Sequence, residues 1–316
     1  MTAFNNLNHI AGPAILTYDT QVWYTEGDIN VDIVQAEWIP KSSRYGGLGP
    51  RISSLPVGKI SFTPDGQITS GRAAKAFPYG LGDVGKSIFG GGDDKPLVIQ
   101  TLAGMVYTFG RAGVSGTPGL TLAPDKTVFT GTMQFTCIGK KGVDPTTANA
   151  FLQIAAGAFA DVSFDETKIL TSQYTAAYGA TTGLTAMDSL DGFHIECPIS
   201  VQELSVNRMG VVDSYLTGIG PATCKFTPAG MTEAVWLTLV NLDGSNVRLP
   251  GTESGAGSTD LVITGTGLTV TLPKCGCVAN KLNYGTAKER LGEVMFHNRP
   301  VFTVGVPGSL LTIAVA

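Results

Sequence analysis

Charge is what this sequence has least of. Only 15% of its 316 residues are Asp, Glu, Lys or Arg, where globular proteins carry about 25%. A free-standing domain presents roughly 25–35% charged residues on its surface. A chain this poor in charge is either an unusually bland monomer or one whose surface is largely covered by other copies of itself. A basic excess is missing as well. Lys+Arg 21 against Asp+Glu 25 gives a net charge of −4, which disfavours sequence-independent nucleic-acid binding, because that needs clustered cations to neutralise phosphates. The five cysteines (Cys137, Cys197, Cys224, Cys275 and Cys277) are too few and too scattered for a disulfide scaffold. Their odd number leaves at least one thiol free, and synthesis in a reducing cytosol is the simplest reading. No run approaches the ~18–20 apolar residues that span a bilayer; the longest candidates are residues 151–160 and 310–316. Residues 1–12 carry neither a basic n-region nor an apolar h-region, so no secretion signal is expected.

Hydrophobic residues, at 43%, suffice for a core and argue against disorder. Glycine stands at 41 residues, about 13% against a usual ~7%. Strand-type segments dominate. Residues 31–38, 59–62, 96–109, 128–138, 194–204, 224–226, 235–242, 261–272, 294–296 and 310–315 are rich in Val, Ile, Thr, Phe and Leu, with Gly, Pro, Asp and Asn between them. Within 128–138, Phe129, Gly131, Met133, Phe135 and Cys137 alternate onto one largely apolar face. One helix is expected. Asp144 is a good N-cap, Pro145 suits the first helical position, and residues 146–156 follow with Phe151, Ile154 and Ala155 as the buried stripe. Two long loops, 66–95 and 246–260, are of the kind that is usually functional or interfacial.

The sequence also repeats itself. Phe62-Thr63-Pro64-Asp65-Gly66 recurs as Phe226-Thr227-Pro228-Ala229-Gly230, an offset of 164 (226 − 62), and Leu97-Val98-Ile99 recurs as Leu261-Val262-Ile263 at the same offset (261 − 97). Weaker echoes keep the same order. Val34-Gln35-Ala36-Glu37 resembles Val201-Gln202-Glu203, Gly131 to Phe135 resembles Gly292 to Phe296, and Ile15-Leu16-Thr17 resembles Ile169-Leu170-Thr171. A period of half the chain is far longer than a solenoid repeat. The expectation is two tandem copies of one β domain, residues 1–165 and 166–316.

Motifs that carry chemistry are thin. Gly80-Leu81-Gly82-Asp83-Val84-Gly85-Lys86-Ser87 matches the phosphate-loop pattern letter for letter. The mechanism also needs a strand leading in and a helix starting at Lys-Ser, so that amides face the phosphates. Here Phe77-Pro78-Tyr79 precedes, and Gly90-Gly91-Gly92 follows closely, so a glycine-rich loop without a nucleotide is expected. His9, His194 and His297 are far apart, and Cys275-Gly276-Cys277 has no second pair at zinc-ligand spacing. No G-x-S-x-G elbow occurs. The acid pairs Asp93-Asp94 and Asp188/Asp191 sit beside glycine, where Asp makes turns. Trp23, Trp38 and Trp236 read as core or interface anchors. Catalytic, cofactor and metal sites are therefore not expected.

Several stretches resemble a known family. Gly12-Pro13-Ala14-Ile15-Leu16-Thr17, Val22-Trp23-Tyr24-Thr25-Glu26-Gly27-Asp28-Ile29 and Ile60-Ser61-Phe62-Thr63-Pro64-Asp65-Gly66-Gln67 look like the major tail tube protein of long-tailed phages. So do Gly119-Leu120-Thr121-Leu122-Ala123-Pro124, Gly131 to Phe135, Phe164-Asp165, Gly210 to Gly218 and Leu291 to Phe296. The resemblance implies a mainly β fold: two tandem β-sandwich or barrel-like tail-tube domains, with a short flanking helix in the first. It implies a structural virion protein, assembled in the host bacterial cytoplasm. Three such subunits would close a pseudo-hexameric ring, and stacked rings would form the tail that conducts DNA during ejection. The implied partners are other copies of the chain, other tail proteins, and genomic DNA that passes through the lumen without specific binding; no membrane insertion is implied. A wall without basic clusters suits such a conduit, because it does not grip phosphates. Tyr45, Leu48, Phe77, Tyr79, Ile88 and Phe89 are the candidate assembly contacts, as apolar side chains in loops that a monomer would leave exposed. The alternatives are another phage structural protein (capsid, decoration or tail) or a β-rich carbohydrate-active enzyme.

Overall fold

The computed structural model describes residues 9–10, 13–25, 27–34, 37–38, 41–42, 47–48, 52–53, 55–65, 69–90, 95–123, 126–141, 150–159, 174–179, 184–206, 210–229, 259–265, 267–277, 293–298 and 310–315. They form a mainly β protein. The first half carries β1 (His9–Ile10), β2 (Ala14–Tyr18), β3 (Gln21–Thr25), β4 (Ile29–Val34), β5 (Glu37–Trp38), β6 (Lys41–Ser42), β7 (Gly47–Leu48), β8 (Ile52–Ser53), β9 (Val57–Phe62), the helix α1 (Ser70–Ala76), β10 (Leu97–Thr101), β11 (Met105–Phe109), β12 (Arg111–Gly116), β13 (Gly119–Ala123), β14 (Lys126–Thr130), β15 (Met133–Ile138) and β16 (Leu152–Ala156). The second carries β17 (Thr175–Tyr178), β18 (Asp188–Ser189), β19 (Phe193–Glu196), β20 (Ile199–Val206), β21 (Gly210–Ile219), β22 (Thr223–Phe226), β23 (Pro228–Ala229), β24 (Thr259–Gly265), β25 (Leu268–Cys277), β26 (Val294–Asn298) and β27 (Thr312–Val315).

Several expected strands turn out to be hairpins, because a glycine free to take positive φ sits inside the apolar run. Residues 128–138 break at Gly131 (φ 86) into β14 and β15. Residues 96–109 break at Gly104 (φ 79), and residues 261–272 at Gly267 (φ 76). The β2–β3 turn is tighter. Asp19 (φ 44) and Thr20 (φ 68) both lie in the left-handed region, as a two-residue type I′ turn demands.

The expected helix does not reach residues 152–156, and its N-cap Asp144, Pro145 and residues 146–149 lie outside the described residues. Leu152–Ala156 is a strand that pairs with β11 from Phe109↔Leu152 to Met105↔Ala156, and Ile154 is exposed rather than part of a buried stripe. Leu, Gln, Ile and Ala suit either state, and the open edge of β11 decides between them. The helix found, α1, lies in the glycine-rich segment after β9. Thr69 caps it, its hydroxyl accepting from Arg72 N at 3.2 Å, and Lys75 faces the negative end of the helix dipole.

The strands form three main sheets, all antiparallel in the pairings described. One runs β1-β4-β9-β15-β12-β20-β21 and one β16-β11-β10-β2-β3. The third runs β14-β13-β19-β22-β26-β25-β24-β17, with β27 also on β25. The same ladder occurs twice. Leu97 and Ile99 of β10 pair with Tyr18 and Leu16 of β2 on one side and with Phe109 and Tyr107 of β11 on the other. Leu261 and Ile263 of β24 pair with Tyr178 and Ala176 of β17, and with Leu272 and Val270 of β25. Phe62 pairs with Met133 in the first half, and Phe226 with Val294 in the second.

The packing repeats with the register. Phe62 stacks on Phe135 at 6.1 Å and 3°, and Tyr18 meets Phe135 at 4.8 Å and 61°. Phe226 stacks on Phe296 at 5.9 Å and 4°, and Tyr178 meets Phe296 at 4.9 Å and 59°. Each triad is buried at the heart of its half. Such aromatic pairs contribute about 0.5–1.5 kcal/mol each beyond the area they bury.

Two hairpins cross between the halves. β20–β21, from the second half, extends the first sheet through Gly116↔Ile199, and β13–β14, from the first half, extends the third through Leu120↔Ile195 and Leu122↔Phe193. Helix α1 packs against β3 on one side and β27 on the other, so it too spans the halves.

Candidate assembly surface

Within the expected loop 66–95, residues 77–90 form a built seam, and residues 66–68 and 91–94 lie outside the described residues. Phe77 and Tyr79, leaving α1, meet Cys197, Ile199, Ile219, Leu310 and Leu311 of the second half, and the packing leaves a void of only about 10 Å³. Tyr79 donates its hydroxyl to Val114 O at 3.2 Å, and burial pushes its phenol well above the usual range. A short 3-10 turn, Leu81–Asp83, follows, with Gly80 N donating to Asp83 Oδ2 at 2.9 Å. The chain then runs beside β21. Gly85 N donates to Leu216 O (2.7 Å), Leu216 N to Lys86 O (2.9 Å) and Ile88 N to Ser214 O (2.9 Å). Ser87 Oγ donates to Asp213 Oδ1 at 2.6 Å.

Glycine makes this docking possible at one point. A Cβ on Gly113 would lie 2.8 Å from Ile88 Cγ1 and 2.9 Å from Ile88 O, so the segment lies flat on β12 only because position 113 has no side chain. Ile88 and Phe89 are consequently buried, at 5% and 2% exposure, and Arg111 lies over the Phe89 ring at 5.5 Å. Exposure was the reason to read them as contacts between subunits, and it does not hold for these two. They join the two halves of one chain, while Phe77 and Tyr79 are half-buried in the same seam. Tyr45 lies outside the described residues. Leu48 lies in β7, whose backbone pairs with β6; its side chain is outside the described set.

The phosphate-loop letters have a different use here. No helix begins at Lys86-Ser87, the Lys86 ammonium pairs with Asp83 at 2.9 Å, and Ser87 bridges to Tyr215. Beside it, a groove of about 330 Å³ is lined by Tyr18, Asp19, Lys75, Lys86, Lys95 and Phe89, among others. Its cations are matched locally. Asp19 accepts from Lys75 (2.5 Å) and Lys95 (2.7 Å), and these hydrogen bonds, the Lys75 bond above all, hold its carboxyl below the usual range.

The other sequence candidates are structural. All five cysteines are buried and free. Burial pushes Cys137 and Cys224 far up, and raises Cys197 and Cys275 to about 12. Among the described residues no group of three or more His, Cys, Asp or Glu could hold a metal ion. Asp191 ties its turn to the link between β22 and β23, accepting from Thr227 N at 3.0 Å and Thr227 Oγ1 at 3.2 Å. His194 Nδ1 lies 3.0 Å from Thr121 Oγ1, across the β13–β19 pairing. Trp23 is core, at 1% exposure; the side chains of Trp38 and Trp236, and the pair Asp93-Asp94, lie outside the described residues. No described helix is long and apolar enough to cross a membrane.

No protein-family model matches this chain, and no curated protein matches it. The residues that matter most to the seam escaped sequence reasoning. Asp213, Ser214, Leu216, Ile199 and Ile219 are in the crossing hairpin, and Leu310 and Leu311 precede the last strand.

Proposed function

We propose that this chain is a structural virion protein, the major tail tube subunit of a long-tailed phage, built from two tandem tail-tube-like β domains within residues 1–165 and 166–316. The observation that carries the reading is the repeated ladder with its repeated Tyr-Phe-Phe triad, joined by hairpins that cross between the halves. A protein made of two equivalent units that extend each other's sheets is suited to continuing the same joint from chain to chain. The low charge agrees with that use, because surface meant for other subunits has little need of it. Three chains would make a pseudo-sixfold ring, rings would stack into a hollow tube, and the mildly acidic wall would let genomic DNA slide through. The work is mechanical and calls for no catalytic residue or cofactor.

Electron microscopy of the purified full-length protein tests this reading. Hollow tubes or rings with threefold symmetry are expected. Particles that stay compact and monomeric would refute it, and glycan hydrolysis by such monomers would favour the carbohydrate-active alternative.

A further inference from the structure

We infer that the outer edge of β16 is the docking surface for the second half of another copy of this chain, and that it reproduces the joint already present inside each chain. The inference deepens the tube reading, on which it rests, by naming the face through which one chain meets the next.

Inside the chain the joint has three parts: α1 packs on β27, β20–β21 extends the sheet at β12, and β13–β14 extends the sheet at β19. Each part sets a first-half element against a second-half element. The ladders identify β16 as the counterpart of β27. Ile154 pairs with Tyr107 as Ile313 pairs with Val270, and Tyr107 and Val270 hold the same place opposite Ile99 and Ile263. Their surroundings differ. β27 lies against α1, and Ile313 is packed against the core. Among the described residues β16 ends its sheet, with Ile154 at 41% exposure and Gln153, Ala155 and Ala156 exposed beside it. An uncovered edge strand with small and apolar side chains is a template for pairing.

What covers β27 is a first-half surface, so by the equivalence what fits β16 is a second-half surface. Among the described residues, the chain's own second half does not supply it. That half is already held at the opposite edge of the same sheet, where α1 lies on β3. The partner is therefore a second chain, bound head to tail. A contact of that type is heterologous and repeats until it closes into a ring or grows into a filament.

A second observation, on the neighbouring sheet, points to the same kind of joint between chains. The segment between β4 and β9 holds the place that β20–β21 holds between β19 and β22. Yet β5 pairs with β8 and β6 with β7, and none of these four joins a larger sheet among the described residues. Their counterpart lies on β12 of the other half, while among the described residues the first-half arm extends no sheet of its own chain.

The test uses the full-length chain. Ile154→Arg places a charge on the exposed edge, where it should leave the melting temperature within about 2 °C, as surface substitutions do. It is expected to lower the assembled fraction in sedimentation and negative stain by at least about tenfold. In parallel, a photo-crosslinking p-benzoylphenylalanine at position 154 is expected to give intermolecular crosslinks that map to residues beyond 165. This second measurement decides the matter if the arginine variant fails to fold. Wild type that assembles while Ile154→Arg assembles equally well would overturn this inference and leave the tube reading standing. So would crosslinks confined to first-half residues or wholly absent from assembled particles. Wild type that never assembles would overturn both.

Discussion

The side chain of Asn298 offers the sharpest test of how the second half is held together. It sits at the end of β26 and is 1% exposed. Its Oδ1 accepts from Ala222 N at 2.7 Å, its own N–H donates to Ala222 O at 3.0 Å, and its Nδ2 donates to Leu310 O. One amide thus fastens the entry to β22 and the approach to β27 onto β26. Replacing it with alanine leaves the Ala222 N–H and the Leu310 C=O buried without partners. Each such loss costs about 1–3 kcal/mol, and a small cavity adds to it, so Asn298→Ala should cost roughly 2–5 kcal/mol. For a cooperative unit of 316 residues, that lowers the melting temperature by roughly 3–8 °C. Asn298→Leu restores volume but not the hydrogen bonds, and should recover little.

Asn298→Asp is the more searching variant. Its Oδ1 can still accept from Ala222 N, but an ionised carboxylate turns its second oxygen toward the Leu310 carbonyl. Only the protonated acid can donate there, so the folded protein holds this carboxyl above its unfolded value of about 3.9. A raised folded pKa means stability that is present below the unfolded pKa and lost as pH rises through the folded one. The aspartate variant should therefore stay close to wild type near pH 4 and fall well below it near pH 7. Urea and thermal unfolding, followed by tryptophan fluorescence at both pH values, measure this directly. A leucine variant as stable as wild type would refute the reasoning, as would an aspartate variant whose deficit does not change with pH.

Other expectations follow from single features. Thr20 is β-branched at φ 68; Thr20→Gly gives the Asp-Gly pair that type I′ turns favour and should stabilise by roughly 0.5–1 kcal/mol in chemical denaturation. Asp19 is depressed by its lysine hydrogen bonds, so its contribution is present above about pH 4 and is lost as pH falls through its lowered folded pKa; Asp19→Asn should flatten the acid limb of a melting-temperature profile. Gly113→Val drives a side chain into Ile88 and its carbonyl, and limited proteolysis should then cut within residues 80–90, where wild type resists. The buried thiols, raised by desolvation, should react with a thiol reagent near neutral pH only on the timescale of unfolding, and five should appear once the chain is denatured.

Much of this architecture was legible because strand burial leaves a period of two in the sequence. β9, β22, β26 and β27 fall where alternating apolar residues put them, and the Phe62/Phe226 and Leu97/Leu261 echoes mark corresponding rungs of two ladders. What stayed hidden was decided by partners distant in sequence. Nothing local distinguishes Leu152–Ala156 as a strand; the unpaired side of β11 does. Helix α1 is only seven residues long and has a glycine, Gly71, at its second position, so its periodicity is too short to see. Ile88 and Phe89 read as exposed because their cover, β12 and β21, comes from strands that lie 22 or more residues away in the chain.

The crossing hairpins bear on how the chain is made. During synthesis β12 leaves the ribosome with its outer side bare, and β13 has only β14 for company until β19 and β20 emerge roughly 80 residues later. Neither half completes its sheets on its own schedule. The nascent first half must wait with open edges, and it does so at the concentrations of a polysome making many copies at once. The interval before the second half arrives is then the time at which neighbouring nascent chains are most apt to pair with the wrong partner.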